Sequence, residues 1–558
     1  MGFCDMADND GIISKSRRRF IESVLVLATA LGVGFAGYEV GLYEASKVLV
    51  KTAQCPPSTQ YGLPQGYDYV IYASDGNYYV VNSKNQVMYE SSDPGDAIEY
   101  AISQLGGRGG RVLIRSGLYV CTKYPCISIN NSNSSGILII DSEYGAVITV
   151  ANNAVNGAGA LLSLTGSNVV ISNITIDGNS QHNNYVVDNQ FNILVSNARN
   201  VWLVNVKSIN GPNGFALVNS SNVAMMGVKG SGNRFRGVYV SGSNTVLLLS
   251  SYIERNGYYG IEIDGSTNAV VVNTVLLDNG NGVLINNSDA LLEVLIEFVK
   301  AKGNYGINAS VTNPGYELII SNSVVRGNVA NAISLAVSNA MVGISNSIVH
   351  GGSETTLNVS GSNSTLVIEG SRFTDLSTAP GSYPYIIKGL NSALLSGNEF
   401  VFGNQVSQLN GLKISDVDLV VVRGNVIRGY TVGLDLSNCG TAHICDNYFM
   451  DVTTPVTYTN TGLVRARANV GWTPIVNTPS VPASGLPVVN NYPVSVMVYV
   501  YGGSVTQITI VKANRSYTAY ESQAPQPLNS EYFILDPGDS ITITYVQPPS
   551  WVWVPVNY

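Results

Sequence analysis

Between residues 200 and 308 the sequence repeats itself with a period near 23 residues, and no other feature narrows the possible folds as much. Gly214, Gly237, Gly260, Gly282 and Gly306 each open a short run (GFALVN, GVYVSG, GIEIDG, GVLINN, GINASV), at steps of 23, 23, 22 and 24. Asn210, Asn233, Asn256 and Asn279 keep a step of 23, and a second series, Asn200, Asn222, Asn244 and Asn268, precedes apolar runs such as NVWLVNV and NAVVVNT. A period of this length means stacked units, each too small to bury its own apolar face. Within a unit the apolar residues alternate (Val238, Val240; Ile261, Ile263), which is the two-residue period of a strand with one face buried. Asn and Gly tolerate the left-handed backbone of sharp turns. Stacking puts equivalent positions about 4.8 Å apart, and stacked Asn side chains can then hydrogen-bond along the axis.

The segment DPGDAIEYAISQLGGRGGRVLIRSGLY, residues 93–119, adds a helix signal before the array. Asp93 and Pro94 form an N-cap and first-turn pair, and Ile98, Ile102 and Leu105 make one apolar stripe. A helix here can cover the open end of the first coil. Helix, glycine turn, Gly-x-Tyr strand and 23-residue coils together resemble the right-handed parallel β-helix of the pectate-lyase-like superfamily, over roughly residues 67–455. The fold class expected is therefore all-β: a right-handed parallel β-helix with a capping helix and a small C-terminal antiparallel β-sandwich.

Charged residues make up 12% of the 558, about half the usual share, and the net charge is −8. Nucleic acid is excluded as a partner, because phosphate binding needs concentrated Lys and Arg. The one basic cluster, Ser16-Arg17-Arg18-Arg19-Phe20-Ile21, precedes an apolar run from Val24 to about Ala36. It resembles a twin-arginine export signal, which implies an extracellular or cell-surface location. A retained N-terminal membrane anchor is the alternative. Cys121 and Cys126, like Cys439 and Cys445, are spaced to close local disulfides in an oxidising compartment, with Cys55 left over. Asn-x-Ser/Thr sequons recur, Asn173 and Asn219 among them, offering glycosylation sites to an exported chain.

In chain order the expected parts are a signal or anchor (1–43), a linker (44–66), a hairpin or meander (67–92), the β-helix (93–455), a second linker (456–487) and a C-terminal β domain (488–558). Asn168 to Asn200 is stretched to 32 residues, so NSQHNNYVVDN, carrying His182 and Asp188, must loop outward. The C-terminal domain resembles the β-rich appendages of extracellular and virus-like surface proteins, which implies attachment or homo-oligomer assembly.

With each Gly of the array counted as zero, offsets one and three face inward and offsets two and four face solvent. Glu262 and Asp264 are then two carboxylates on one face of one strand, about 6–7 Å apart, a separation from which glycosidase chemistry is accessible. Arg234 and Arg236 lie one coil earlier, Tyr239 lies beside Glu262, Tyr258 and Tyr259 lead into the strand, and Asp278 sits in the next turn. Such a set suits an acidic polysaccharide: Arg234 and Arg236 would hold a sugar carboxylate, Tyr239, Tyr258 and Tyr259 would stack or pass a proton, and Glu262, Asp264 and Asp278 would act as acid, base or Ca²⁺ ligands. In position the strand resembles the catalytic strand of mannuronan epimerases, where an Asp and a His occupy the offsets of Glu262 and Asp264. The competing expectation is a solvated surface with a weak Arg–Glu pair. Two functions follow: a secreted polysaccharide lyase or glycoside hydrolase working on a lateral groove, or a non-catalytic surface fibre or adhesin that binds glycan or assembles.

Overall fold

The computed structural model describes residues 66–556 except 133–135, 186–187, 298–304, 327–330, 352–353, 376–380, 403–408 and 514. The expected signal, most of the first linker and Cys55 lie outside the described residues. The chain divides into two units, residues 1–311 and 312–558.

The first unit begins with three antiparallel strands, Tyr69–Ser74, Asn77–Asn82 and Val87–Ser91, turning at Asp75 and Gly76, both of positive φ. The helix follows at Pro94–Gln104; the Asp93 side chain accepts from Gly95 N at 2.9 Å, and the helix buries Ala97, Ile98 and Ala101. Its far Asp93 oxygen also receives Thr122 N and Oγ1, tying the helix start to the first coil. A disulfide joins Cys121 to Cys126 in that coil.

Each regular coil then contributes three parallel strands. The coil Arg236–Ser241, Asn244–Leu249, Tyr252–Glu254 pairs strand for strand with Tyr259–Asp264 and Thr267–Leu277 of the next. Offsets one and three are interior as the alternation requires, with Val238, Val240, Ile261 and Ile263 all buried. The glycine series is needed for space rather than for positive φ: a Cβ on Gly237 would sit 2.4 Å from Ile253 Cγ2 and 2.7 Å from the Gly260 carbonyl oxygen.

Two asparagine columns hold the corners, and each differs from the sequence spacing by one place. The buried ladder is Asn233–Asn256–Asn279, each Nδ2 donating to the next Oδ1 at 2.8 Å. Asn210 is out of it, since Gly211 N is the group that meets Asn233 Oδ1. Asn210 instead falls in a column of left-handed residues with Gly232, Arg255 and Asp278. In the second column Asn200, Asn222, Thr245 and Asn268 share φ near +54°, so Thr245 rather than Asn244 is the equivalent member. A serine column that the sequence reading did not identify runs through Ser220, Ser243, Ser266 and Ser288, each hydroxyl accepting from the preceding member's backbone N–H.

The second unit repeats the plan with its own buried ladder, Asn398–Asn425–Asn447–Asn469. Its interior holds an aromatic cluster: Phe373 and Phe400 stack at 5.1 Å, and the buried hydroxyls of Tyr385 and Tyr430 meet at 2.9 Å. Parallel coil strands continue through Thr454–Thr459 and Leu463–Arg467, beyond the expected end at residue 455. Cys439 is a free, buried thiol aimed at the Ser437 and Ile414 carbonyls, so the expected Cys439–Cys445 bridge is absent. Its sulfur occupies the place the serine hydroxyls hold in the first unit, and burial pushes its pKa up.

After the last coil comes a five-stranded antiparallel sheet centred on Ser495–Lys512. Where a sandwich of two sheets was expected, one sheet supplies both walls. Its central strand shifts register around Gly502 and Gly503, and residues from both halves (Val498, Val500, Ile508, Ile510) share one core with Trp551 and Trp553.

Candidate functional site

The strands Arg236–Ser241 and Tyr259–Asp264 are parallel neighbours with Tyr239 opposite Glu262, Ser241 opposite Asp264 and Arg236 opposite Tyr259. Strict alternation would send Arg236 inward with Val238. The burial pattern of its strand breaks at Gly237, where two successive residues are interior, and this leaves the guanidinium on the outer surface. There it lies 4.9 Å over the Tyr239 ring and donates through Nε to Glu262 Oε2. A second nitrogen reaches Asn213 Oδ1 at 3.4 Å and faces Asp188 Oδ2 at 3.7 Å. Burial alone would lower the Arg236 pKa, but the Glu262 hydrogen bond and the charges of Glu262 and Asp188 outweigh it and raise it.

Glu262 therefore differs from expectation. It points away from the coil interior but is only 7% exposed, because Arg236 and its neighbours close over it. Asp264, one pleat along, is half-buried and is the more accessible carboxylate of the strand. The column before the glycines, Asn213, Arg236, Tyr259, Asn281 and Tyr305, carries polar or aromatic groups at every coil. It could have been found by aligning the repeats on their glycines rather than on the alternation. Burial, with the Glu262 charge behind it, raises the Tyr259 pKa, so this phenol stays protonated and is a donor.

Asp188 comes from the expected outward loop, held down by Asn213 Nδ2, which donates to the Asp188 and Gln190 carbonyls at 2.8 and 2.9 Å. His182 is exposed on the same loop, its backbone bonded to Asn153 and Asn179. Arg234 and Tyr258 lie on the turns preceding the two strands. Phe235 is between them, 5.5 Å from the Arg234 guanidinium and 5.3 Å from the Tyr258 ring, and Tyr258 is 51% exposed. Asp278 has φ +53° in the left-handed corner column with Arg255, a backbone need that accounts for an Asp there. Among the described residues no three His, Cys, Asp or Glu side chains gather to hold a metal. With one Glu262 oxygen taken by Arg236, the expected Ca²⁺ ligand set is not assembled.

The residues 126–318 and 228–373 match the family model described as right-handed beta helix region. No curated protein matches the chain. Among solved structures, the A-module of the Azotobacter vinelandii mannuronan C-5 epimerase AlgE4 aligns at 14% identity over 66% of this chain and 96% of that one, with a TM-score of 0.41. The tailspike protein of Escherichia coli bacteriophage HK620, in complex with a pentasaccharide, aligns at 12% identity over 83% and 89%, with a TM-score of 0.33. PfbA, a surface adhesin of Streptococcus pneumoniae, aligns at 11% identity over 72% and 95%, with a TM-score of 0.25. By its coils, its parallel register and the matching family model, this chain is a right-handed β-helix protein with a small C-terminal antiparallel sheet.

Proposed function

We propose that this protein binds polysaccharide across the outer face of the coils from Arg234 to Asp278. The observation that carries the reading is the Arg236 network: one guanidinium fixes Glu262, Asn213, Asp188 and the Tyr239 ring beside the exposed Tyr258. Sugars present an apolar C–H face and a rim of hydroxyls. An exposed tyrosine backed by Phe235 offers the first a ring, and Asp188 and Asp264 offer the second charged acceptors. Because Glu262 already neutralises Arg236, the free charge of the face is negative, which favours a neutral glycan over the acidic one expected from the arginines. Affinity electrophoresis against neutral and acidic polysaccharides tests this. Retardation by a neutral polymer is expected; no retardation by any polymer overturns it.

Processing of the bound chain, by a lyase or hydrolase route, is the second reading, favoured by Asp264, the more accessible carboxylate of its strand, one pleat from Glu262. Asp264 would take the proton, and the substrate would be held along the strand by the protonated Tyr259 at its other end. New reducing ends or absorbance from unsaturated products would support it, and loss of both in Asp264→Asn would assign the base.

Export belongs to the same proposal. The Cys121–Cys126 disulfide suits an oxidising compartment, and the Arg17-Arg18 pair suits twin-arginine routing. Changing both arginines to Lys should leave the protein inside the cell; normal secretion of that variant would contradict the route.

A further inference from the structure

The C-terminal sheet carries an exposed apolar face that the glycan reading leaves unused. Along the first half of the central strand, Val496, Val498 and Val500 point into the core and Met497, Tyr499 and Tyr501 point out. On one side Tyr499 is opposite Tyr532 and Met497 opposite Ile534; on the other Tyr499 is opposite Val552 and Met497 opposite Val554. Tyr532 is 65% exposed, and Tyr499, Tyr501, Ile534, Val552 and Val554 lie between 37% and 44%. The Tyr499 and Tyr532 rings sit 6.4 Å apart, so the face is continuous.

Three observations say what covers it. The side chains expose about 500 Å² in all, the upper end of what a monomer leaves open; two such faces together bury about 1,000 Å², the threshold of a specific protein interface. None of the seven side chains is charged, the nearest carboxylate along the row, Asp536, is paired with Lys512 at the edge, and the whole chain carries −8, so the face is where two like-charged copies can meet with least repulsion. Ile534, Val552 and Val554 offer no hydrogen-bond partner to a sugar hydroxyl, unlike the Asp188 and Asp264 surface, which argues for a protein occupant.

We propose that two copies of this chain pair face to face through Met497, Tyr499, Tyr501, Tyr532, Ile534, Val552 and Val554. A two-fold axis near Tyr499 makes the patch its own complement. Pairing would place two glycan faces on one particle. The dimer itself does not depend on the glycan reading.

Sedimentation velocity of the full chain across a concentration series tests the proposal. The wild type is expected to sediment as a dimer. Tyr532→Lys with Val552→Lys should shift the monomer–dimer midpoint upward by at least about tenfold, with an unchanged melting curve. Val546→Lys, on the strand Ser540–Gln547, removes an equally exposed apolar side chain outside the face and should leave the dimer intact. Should the double variant not fold, Tyr532→Lys alone gives the same reading. A wild type that stays monomeric throughout, Lys variants that dimerise as well as the wild type, or loss of the dimer in Val546→Lys would each overturn it.

Discussion

The carboxylate of Glu262 lies on the side of the strand that alternation assigns it, yet it is sealed under Arg236 rather than solvated. That changes what its removal should do. A solvated surface acid would shift stability by no more than about 0.5 kcal/mol, whereas opening a buried pair strands the remaining charge. Glu262→Ala should therefore cost about 3 kcal/mol in urea unfolding, and the double variant with Arg236→Ala should cost less than the sum of the two singles. Additive losses would mean the pair is not coupled. This residue also marks the limit of the sequence as a guide to the site. Its column, its strand and its neighbours Tyr239 and Tyr259 were legible from the period. Its burial was not, because it depends on the alternation breaking at Gly237 and on Asn213 and Asp188 closing from the preceding coil and loop.

At the scale of the coil, the repeat exposed the architecture because each strand of a solenoid has only its own coil neighbours to satisfy. The inward residues and the Asn ladder follow directly. The two misplaced asparagines, Asn210 and Asn244, show what a near-constant spacing hides: a coil of 22 residues is followed by two of 23, so equal steps drift by one place against the hydrogen-bonded register. The ladder carries its own prediction. Asn256 Oδ1 accepts from the side chain and backbone of Asn233, and its Nδ2 reaches Asn279 Oδ1 and the Gly230 carbonyl. Asn256→Ala leaves several buried groups unpaired at about 1–3 kcal/mol apiece, and so should lower the melting temperature more than Asn210→Ala, which lies outside the ladder. Gly237→Ala should be as damaging for a steric reason, since overpacking of this kind costs about 1–3 kcal/mol. Equal melting curves for Asn256→Ala and Asn210→Ala would contradict the observed register.

Across the whole molecule the two units differ in how they should respond to mild acid. His350 and His443 both lie in the second unit, and burial, reinforced by Arg326 and Arg372 at His350 and by Arg465 at His443, lowers both below the ordinary 6.5. A folded pKa below the unfolded one means that the unfolded chain takes up protons first. The stability is complete above pH 6.5 and falls as the pH drops from there toward the folded values. Carboxylates with ordinary pKa values near 4 begin to protonate only below that window. Calorimetry between pH 7.5 and 5 should show the transition of the second unit moving to lower temperature, and His350→Asn with His443→Asn should flatten the trend. A pH-independent wild type would contradict the burial of these two imidazoles.

The claim that joins the scales is that the Arg236 surface is where a glycan sits. The most direct test is isothermal titration with a soluble oligosaccharide of whichever polymer retards the wild type. Tyr258→Ala and Asp264→Asn change an exposed ring and a half-buried acceptor, so both should weaken binding at least about tenfold with little change in melting temperature. Tyr144→Ala, at a tyrosine 93% exposed on another part of the first unit, should bind as the wild type does. Undiminished binding by both Tyr258→Ala and Asp264→Asn, or an equal loss in Tyr144→Ala, would contradict the assignment of this face.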